Sequence, residues 1–169
     1  MKVVWVPIAI AVALALQTTL ARFLVGGTVA LDLVLVAVVY VALTCGPVTG
    51  MLTGSVAGII QDALSSSGVI GVGGLAKSIV GFAVGAIGQQ FIVTAALPRL
   101  VMFLMASTVH AAVFMGFYVL MGLRSFPSPW AAILSQALGN AAVGMIAFTV
   151  VESLPGAVER RRLSRRPKH

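Results

Sequence analysis

The chain has 169 residues, 60% of them hydrophobic and 9% charged, far below the roughly 25% charged content of soluble domains, which excludes an ordinary soluble fold. Its net charge of +7 is concentrated in the last ten positions, where Arg160, Arg161, Arg162, Arg165, Arg166 and Lys168 leave the rest nearly neutral. The single cysteine, Cys45, excludes an intrachain disulfide and a zinc site built on paired cysteines.

A helix needs about 20 mainly apolar residues, and no fewer than about 17, to cross the hydrocarbon core. Six segments meet that criterion, so the expected fold is all-α: a polytopic membrane protein with six transmembrane helices in residues 1–159 and a basic cytoplasmic tail in 160–169. The first segment runs from Val3 to Ala21. Lys2 ahead of an apolar run, and Ala13-Leu14-Ala15 within it, imitate a secretory signal, but the run is longer than a signal core and further spans follow. The second, Val29 to Cys45, contains Asp32 near its start, where a capping or orienting role is expected. The third, Pro47 to Leu64, is rich in glycine and short enough to re-enter rather than cross; a true span is the expectation. The fourth runs from Gly73 to Ile92. The fifth, Pro98 to Gly122, carries His110, read as a core residue or helix contact, and the sixth runs from Ser128 to Ser153.

Six spans put both termini on one side, and the dense basic tail marks that side as cytoplasmic. Lys2, Arg99 and the six tail residues lie inside on this reading, against Arg22, Lys77 and Arg124 outside. Trp5 and Tyr40 fall towards the cytoplasmic interface and Tyr118 and Trp130 towards the outer one, as an aromatic belt requires.

The third segment has a ladder of small residues. Gly50, Gly54 and Gly58 recur every four positions, so they share a helix face, and Asp62 continues that face. In the fourth segment Lys77, Gly81 and Gly85 repeat the pattern. Lipid is as apolar as leucine, so membrane helices associate where small residues let backbones approach. The two glycine faces are therefore expected to pack together. Asp62 near a helix C-terminus and Lys77 near an N-terminus each oppose the local dipole, which predicts that they compensate one another as a charge pair. In the sixth segment Gln136, Asn140 and Gly144 form a polar or small stripe, expected to face other helices or a partner.

No pattern points to catalysis. With Glu152 and Glu159 at or beyond the cytoplasmic boundary, a paired-carboxylate site within the membrane would have to use Asp32 and Asp62, both towards the outer face but not linked by any sequence pattern. Neither histidine has the neighbours of a metal cluster. The glycines of "GVGG" at 71–74 lack the lysine and hydroxyl of a phosphate loop. A non-enzyme without cofactor or metal is expected. The tail is read as a topology signal and a contact for anionic lipids rather than nucleic acid.

"LQTTL" (Leu16–Leu20), "DLVLV" (Asp32–Val36), "GPVTGMLTGSVAGIIQD" and "GLAKSIVGF" together resemble the MreD family of rod-shape-determining proteins, in order and across nearly the whole membrane part. The resemblance implies a non-enzymatic inner-membrane scaffold of the bacterial elongation machinery. It would bind MreC and, indirectly, the peptidoglycan glycosyltransferase and transpeptidase and the MreB filament. The family's fold is similar to the substrate-binding component of energy-coupling-factor vitamin transporters. That similarity supplies an alternative, a membrane solute binder docking through Ala9, Ala11, Ala13 and Ala15.

Overall fold

Apolar runs punctuated by glycine and proline fold into helices and nothing else among the described residues of the structure, a computed structural model. It describes residues 2–23, 31–65, 69–91, 95–123 and 125–164; for 2–5, 20–23, 152 and 154–164 it describes the backbone alone. The elements are α1 (Lys2–Phe23), α2 (Leu33–Cys45), α3 (Pro47–Leu64), α4 (Val72–Gln90), α5 (Ala96–Leu120) and α6 (Pro129–Ser164). Three stretches are long and apolar enough to cross a membrane, namely α4, α5 and Pro129–Val151 of α6.

α2 has only 13 residues and is apolar nearly all round, with Val34, Leu35, Val36, Val38, Val39, Val41 and Ala42 buried. A helix of that character belongs inside a bundle, and α2 touches each of the other five helices, whereas α1 and α6 do not touch one another. The main core gathers Leu35 and Val39 of α2, Val80 and Val84 of α4, Phe103 of α5 and Phe148 of α6. A smaller one joins Ala13, Val34, Val38 and Ala57. On the outside, Leu52, Phe82, Met105, Leu134, Leu138 and Ile146 are all about half exposed or more. So extensive an apolar surface suits lipid and not water.

The turn between α2 and α3 is a single residue. Gly46 has φ of 93°, in the region that favours glycine, and Pro47 opens α3 at a position where its missing N–H costs nothing. That turn makes α2 and α3 antiparallel. α3 then lies against α4 along its whole length, from Pro47 beside Gly85 to Gly58 beside Gly74.

α6 runs through the 159/160 boundary to Ser164 as one helix of 36 residues, so the basic segment begins within the helix. Tyr118 is 5% exposed beside Phe114, and Tyr40 packs on Phe148 with ring centroids 4.7 Å apart. Trp130 is exposed, while the side chain of Trp5 is outside the described residues, as are Arg124, Arg165, Arg166 and Lys168. Of Arg160, Arg161 and Arg162 only the backbone is described.

Candidate functional site

The glycine faces of α3 and α4 form a seam in which backbone meets backbone. A Cβ at Gly50 would strike Gly81 and Ala42, one at Gly54 the Lys77–Ser78 backbone, one at Gly58 that of Gly73–Gly74, and one at Gly85 that of Pro47. The tight approach lets Ser55 and Ser78 share a hydrogen bond of 2.6 Å between their hydroxyls, and Ser78 also donates to the Gly74 carbonyl.

At the end of this seam the structure differs from the charge pair expected from the sequence. Lys77 does not pair with Asp62. The Asp62 carboxylate Oδ2 accepts from the backbone N–H groups of Gly71 at 2.9 Å, Gly73 at 2.9 Å and Gly74 at 3.4 Å. These are among the donors that the first turn of a helix leaves without intrahelical partners, and they carry the positive end of the α4 dipole. Asp62 thus opposes the dipole of its own helix and complements that of the next. The glycines of "GVGG" do make an anion nest, but the anion is the chain's own carboxylate. A side chain at Gly73 would collide with it.

Lys77 points elsewhere, into the bundle. Its Nζ lies 2.7 Å from Asp32 Oδ2, with the two side chains 3% and 8% exposed, and 3.2 Å from His110 Nε2. His110 Nε2 is also 3.8 Å from Asp32 Oδ2. Asp32 has the capping role expected of it, its Oδ1 accepting from Leu35 N at 2.9 Å, while its Oδ2 holds the lysine. Around it gather the remaining helices. Asn140 Oδ1 accepts from the Asp32 backbone N–H at 2.9 Å, and Gln61 Nε2 approaches Asp32 Oδ1 at 3.5 Å. Gln17 brackets the entry to α2, donating to the Leu31 carbonyl and accepting from Leu33 N, both at 2.8 Å. Each helix therefore supplies or positions one member of a single polar hub: Gln17 from α1, Asp32 at the start of α2, Gln61 from α3, Lys77 from α4, His110 from α5 and Asn140 from α6. His110 is braced by a ring column along α5, with Phe114 stacked at 5.9 Å and Tyr118 beyond it.

The stripe in α6 divides. Asn140 is fully buried in the hub, Gly144 lies against the Phe103 ring, and Gln136 is only half buried. At the other end of the bundle Arg99 sits over Phe148, 4.4 Å from the ring centroid. Four of the hub residues, Gln17, Asp32, Gln61 and His110, are absent from the seam and stripe patterns. What links them in the sequence is depth, because each lies towards the same end of its helix, or at it, once alternate helices are reversed. A search for one polar residue per span at matched depth would have gathered them. Among the described residues no group of three or more His, Cys, Asp or Glu comes together.

The chemistry of the hub is cohesive. A buried ion pair in a low-dielectric interior is tolerated when its remaining bonding capacity is met by neighbours, and removing either partner strands the other. Burial of the pair ties α2 to α4, and the neutral members bring in the other four helices.

In comparison with known proteins, a family model described as rod shape-determining protein MreD matches residues 1–152. No curated protein matches the chain, and no solved structure does.

Proposed function

Because the chain belongs to the MreD family of rod shape-determining membrane proteins, we propose that it is a non-enzymatic scaffold of the bacterial cell-elongation complex. It sits in the inner membrane with six spans and both termini cytoplasmic, and binds MreC. Through MreC it supports the elongation transpeptidase and glycosyltransferase and the MreB filament. The observation that carries the scaffold reading is the hub: one polar side chain from each of six helices is used to hold the other helices. A bundle locked in this way presents a fixed outer surface to a partner.

Six spans are supported by the antiparallel seam. α3 lies along the full length of α4, a helix long and apolar enough to cross a membrane, so the two cover the same thickness. α2, shorter than a span by itself, is enclosed by the other five. With the basic C-terminal end in the cytoplasm, the hub falls in the outer half of the membrane, and the tail meets anionic lipid headgroups.

The test is purification of the full chain from native membranes with identification of what accompanies it. MreC in the complex is the expected result; an ATPase pair of the energy-coupling type in its place would overturn the scaffold reading. Labelling of cysteines introduced at Ser66 and Ser164 should place these positions on opposite sides of the membrane, and the same side for both would reject six spans.

A further inference from the structure

Three buried polar atoms of the hub have no hydrogen-bond partner among the described residues: Gln61 Oε1, His110 Nδ1 and Asn140 Nδ2. They are not scattered. Each belongs to a side chain whose other polar atom contacts Asp32 or Lys77.

The hydrogen-bond pattern assigns what each atom offers. A lysine ammonium has only hydrogens to give, so His110 Nε2 accepts from Lys77 and the ring proton lies on Nδ1, a donor. Asn140 Oδ1 accepts from the Asp32 backbone, which orients the amide and leaves Nδ2 as a second donor. Gln61 turns its Nε2 towards a carboxylate that can only accept, so Oε1 remains as an acceptor. The hub thus presents two donors and one acceptor in an interior where polar groups normally find partners.

An anion would satisfy the two donors and be repelled by Gln61 Oε1. A cation would do the reverse. A molecule that accepts and donates at once satisfies all three, and water, which typically makes about three hydrogen bonds when buried, has that capacity and the smallest size.

We propose that the hub is a water-binding site, in which ordered internal water accepts from His110 Nδ1 and Asn140 Nδ2 and donates to Gln61 Oε1. Gln61 is half buried and one turn from the end of α3, and forms the entry. Water at this position completes the hydrogen bonds around the Asp32–Lys77 pair. The hub is therefore a hydrated joint between six helices. This inference does not depend on which protein the scaffold binds.

The chain has only two histidines, His110 and His169, which makes the test direct. The full chain, with 15N-labelled histidine, is reconstituted in lipid bilayers and examined by solid-state NMR, with His169→Ala assigning the signals. The expected result for His110 is a protonated Nδ1, an unprotonated Nε2, and a cross-peak from the water resonance to Nδ1–H. A proton on Nε2 instead, or no transfer from water, overturns the proposal. Gln61→Met keeps the length of the side chain and the Asp32–Lys77 pair but removes the acceptor. The water cross-peak to His110 should then fall at least twofold, and unchanged intensity overturns the shared site. If that variant does not fold, the wild-type spectrum decides.

Discussion

The seam between α3 and α4 and the hub meet at one residue and are held together by opposite means. At the seam, the Lys77 backbone is a surface on which Gly54 rests, and nothing larger than a hydrogen fits between. In the hub, the Lys77 side chain reaches across the bundle to Asp32, 45 positions earlier in the chain. The seam is made by the absence of side chains and tolerates no addition; the hub is made by their presence and tolerates no deletion. The same helix turn serves both, so the Lys77 backbone packs against α3 while its side chain turns inward to Asp32.

Substitutions at Lys77 and its two carboxylate candidates should separate these regions most strongly. Lys77→Met or Asp32→Asn alone strands a buried charge, and each should lower stability in detergent by about 3–5 kcal/mol. The double variant Asp32→Asn/Lys77→Met should regain at least half of the combined loss, read as the apparent unfolding temperature. The alternative pair, Asp62→Asn with Lys77→Met, should be additive to within about 0.5 kcal/mol. Coupling in the second cycle and none in the first would mean that the lysine belongs to the seam end after all.

A smaller effect is expected within the seam. Gly54→Ala or Gly58→Ala directs a methyl group into the α4 backbone and should cost about 1–3 kcal/mol each by overpacking. Gly116→Ala in α5 is the control. A Cβ there meets nothing within 4 Å, so the folded yield should be unchanged or slightly higher. Equal losses at Gly54 and Gly116 would show that helix geometry, and not the α3–α4 approach, governs the response.

At the cap, Asp62→Ala removes the acceptor for three backbone donors and should cost about 0.5–2 kcal/mol, the range for loss of an N-terminal cap. Faster hydrogen exchange at Gly73 and Gly74, with Lys77 and its neighbours unaffected, would mark the loss as local to the start of α4. The smallest change is Ser55→Ala, which deletes one interhelical hydrogen bond and should cost about 0.6 kcal/mol. A much larger value would mean that the hydroxyl pair, rather than the glycines, sets the spacing of the seam.

All six helices were legible in the sequence. Pro47 and Leu64 bound α3 in both readings, and the bounds of α4 and α5 shifted by no more than two residues. These features follow from short-range physics: apolar length, glycine spacing and the break at Gly46-Pro47. The sixth apolar segment ends at Ser153, but α6 runs on through Pro155 and Gly156 to Ser164, because the end of an apolar run is not itself a helix stop.

The partner of Lys77 was not legible. Sequence proximity and opposite charge favoured Asp62 across a short turn, and both groups were correctly placed near the same end of the bundle. What decided between two carboxylates was that backbone donors take Asp62 Oδ2, whereas Asp32 Oδ2 faces the lysine. The first turn of α4 brings three backbone N–H groups onto Asp62, and that arrangement exists only once α3 and α4 have packed. Asp32, brought inside when five helices close around α2, then needs a cation, and Lys77 is the one within reach. Periodicity along one chain determines which face of a helix is small or polar. Which of those faces meet is settled by packing all six helices at once, because a buried polar group is stable only where several distant residues satisfy it together.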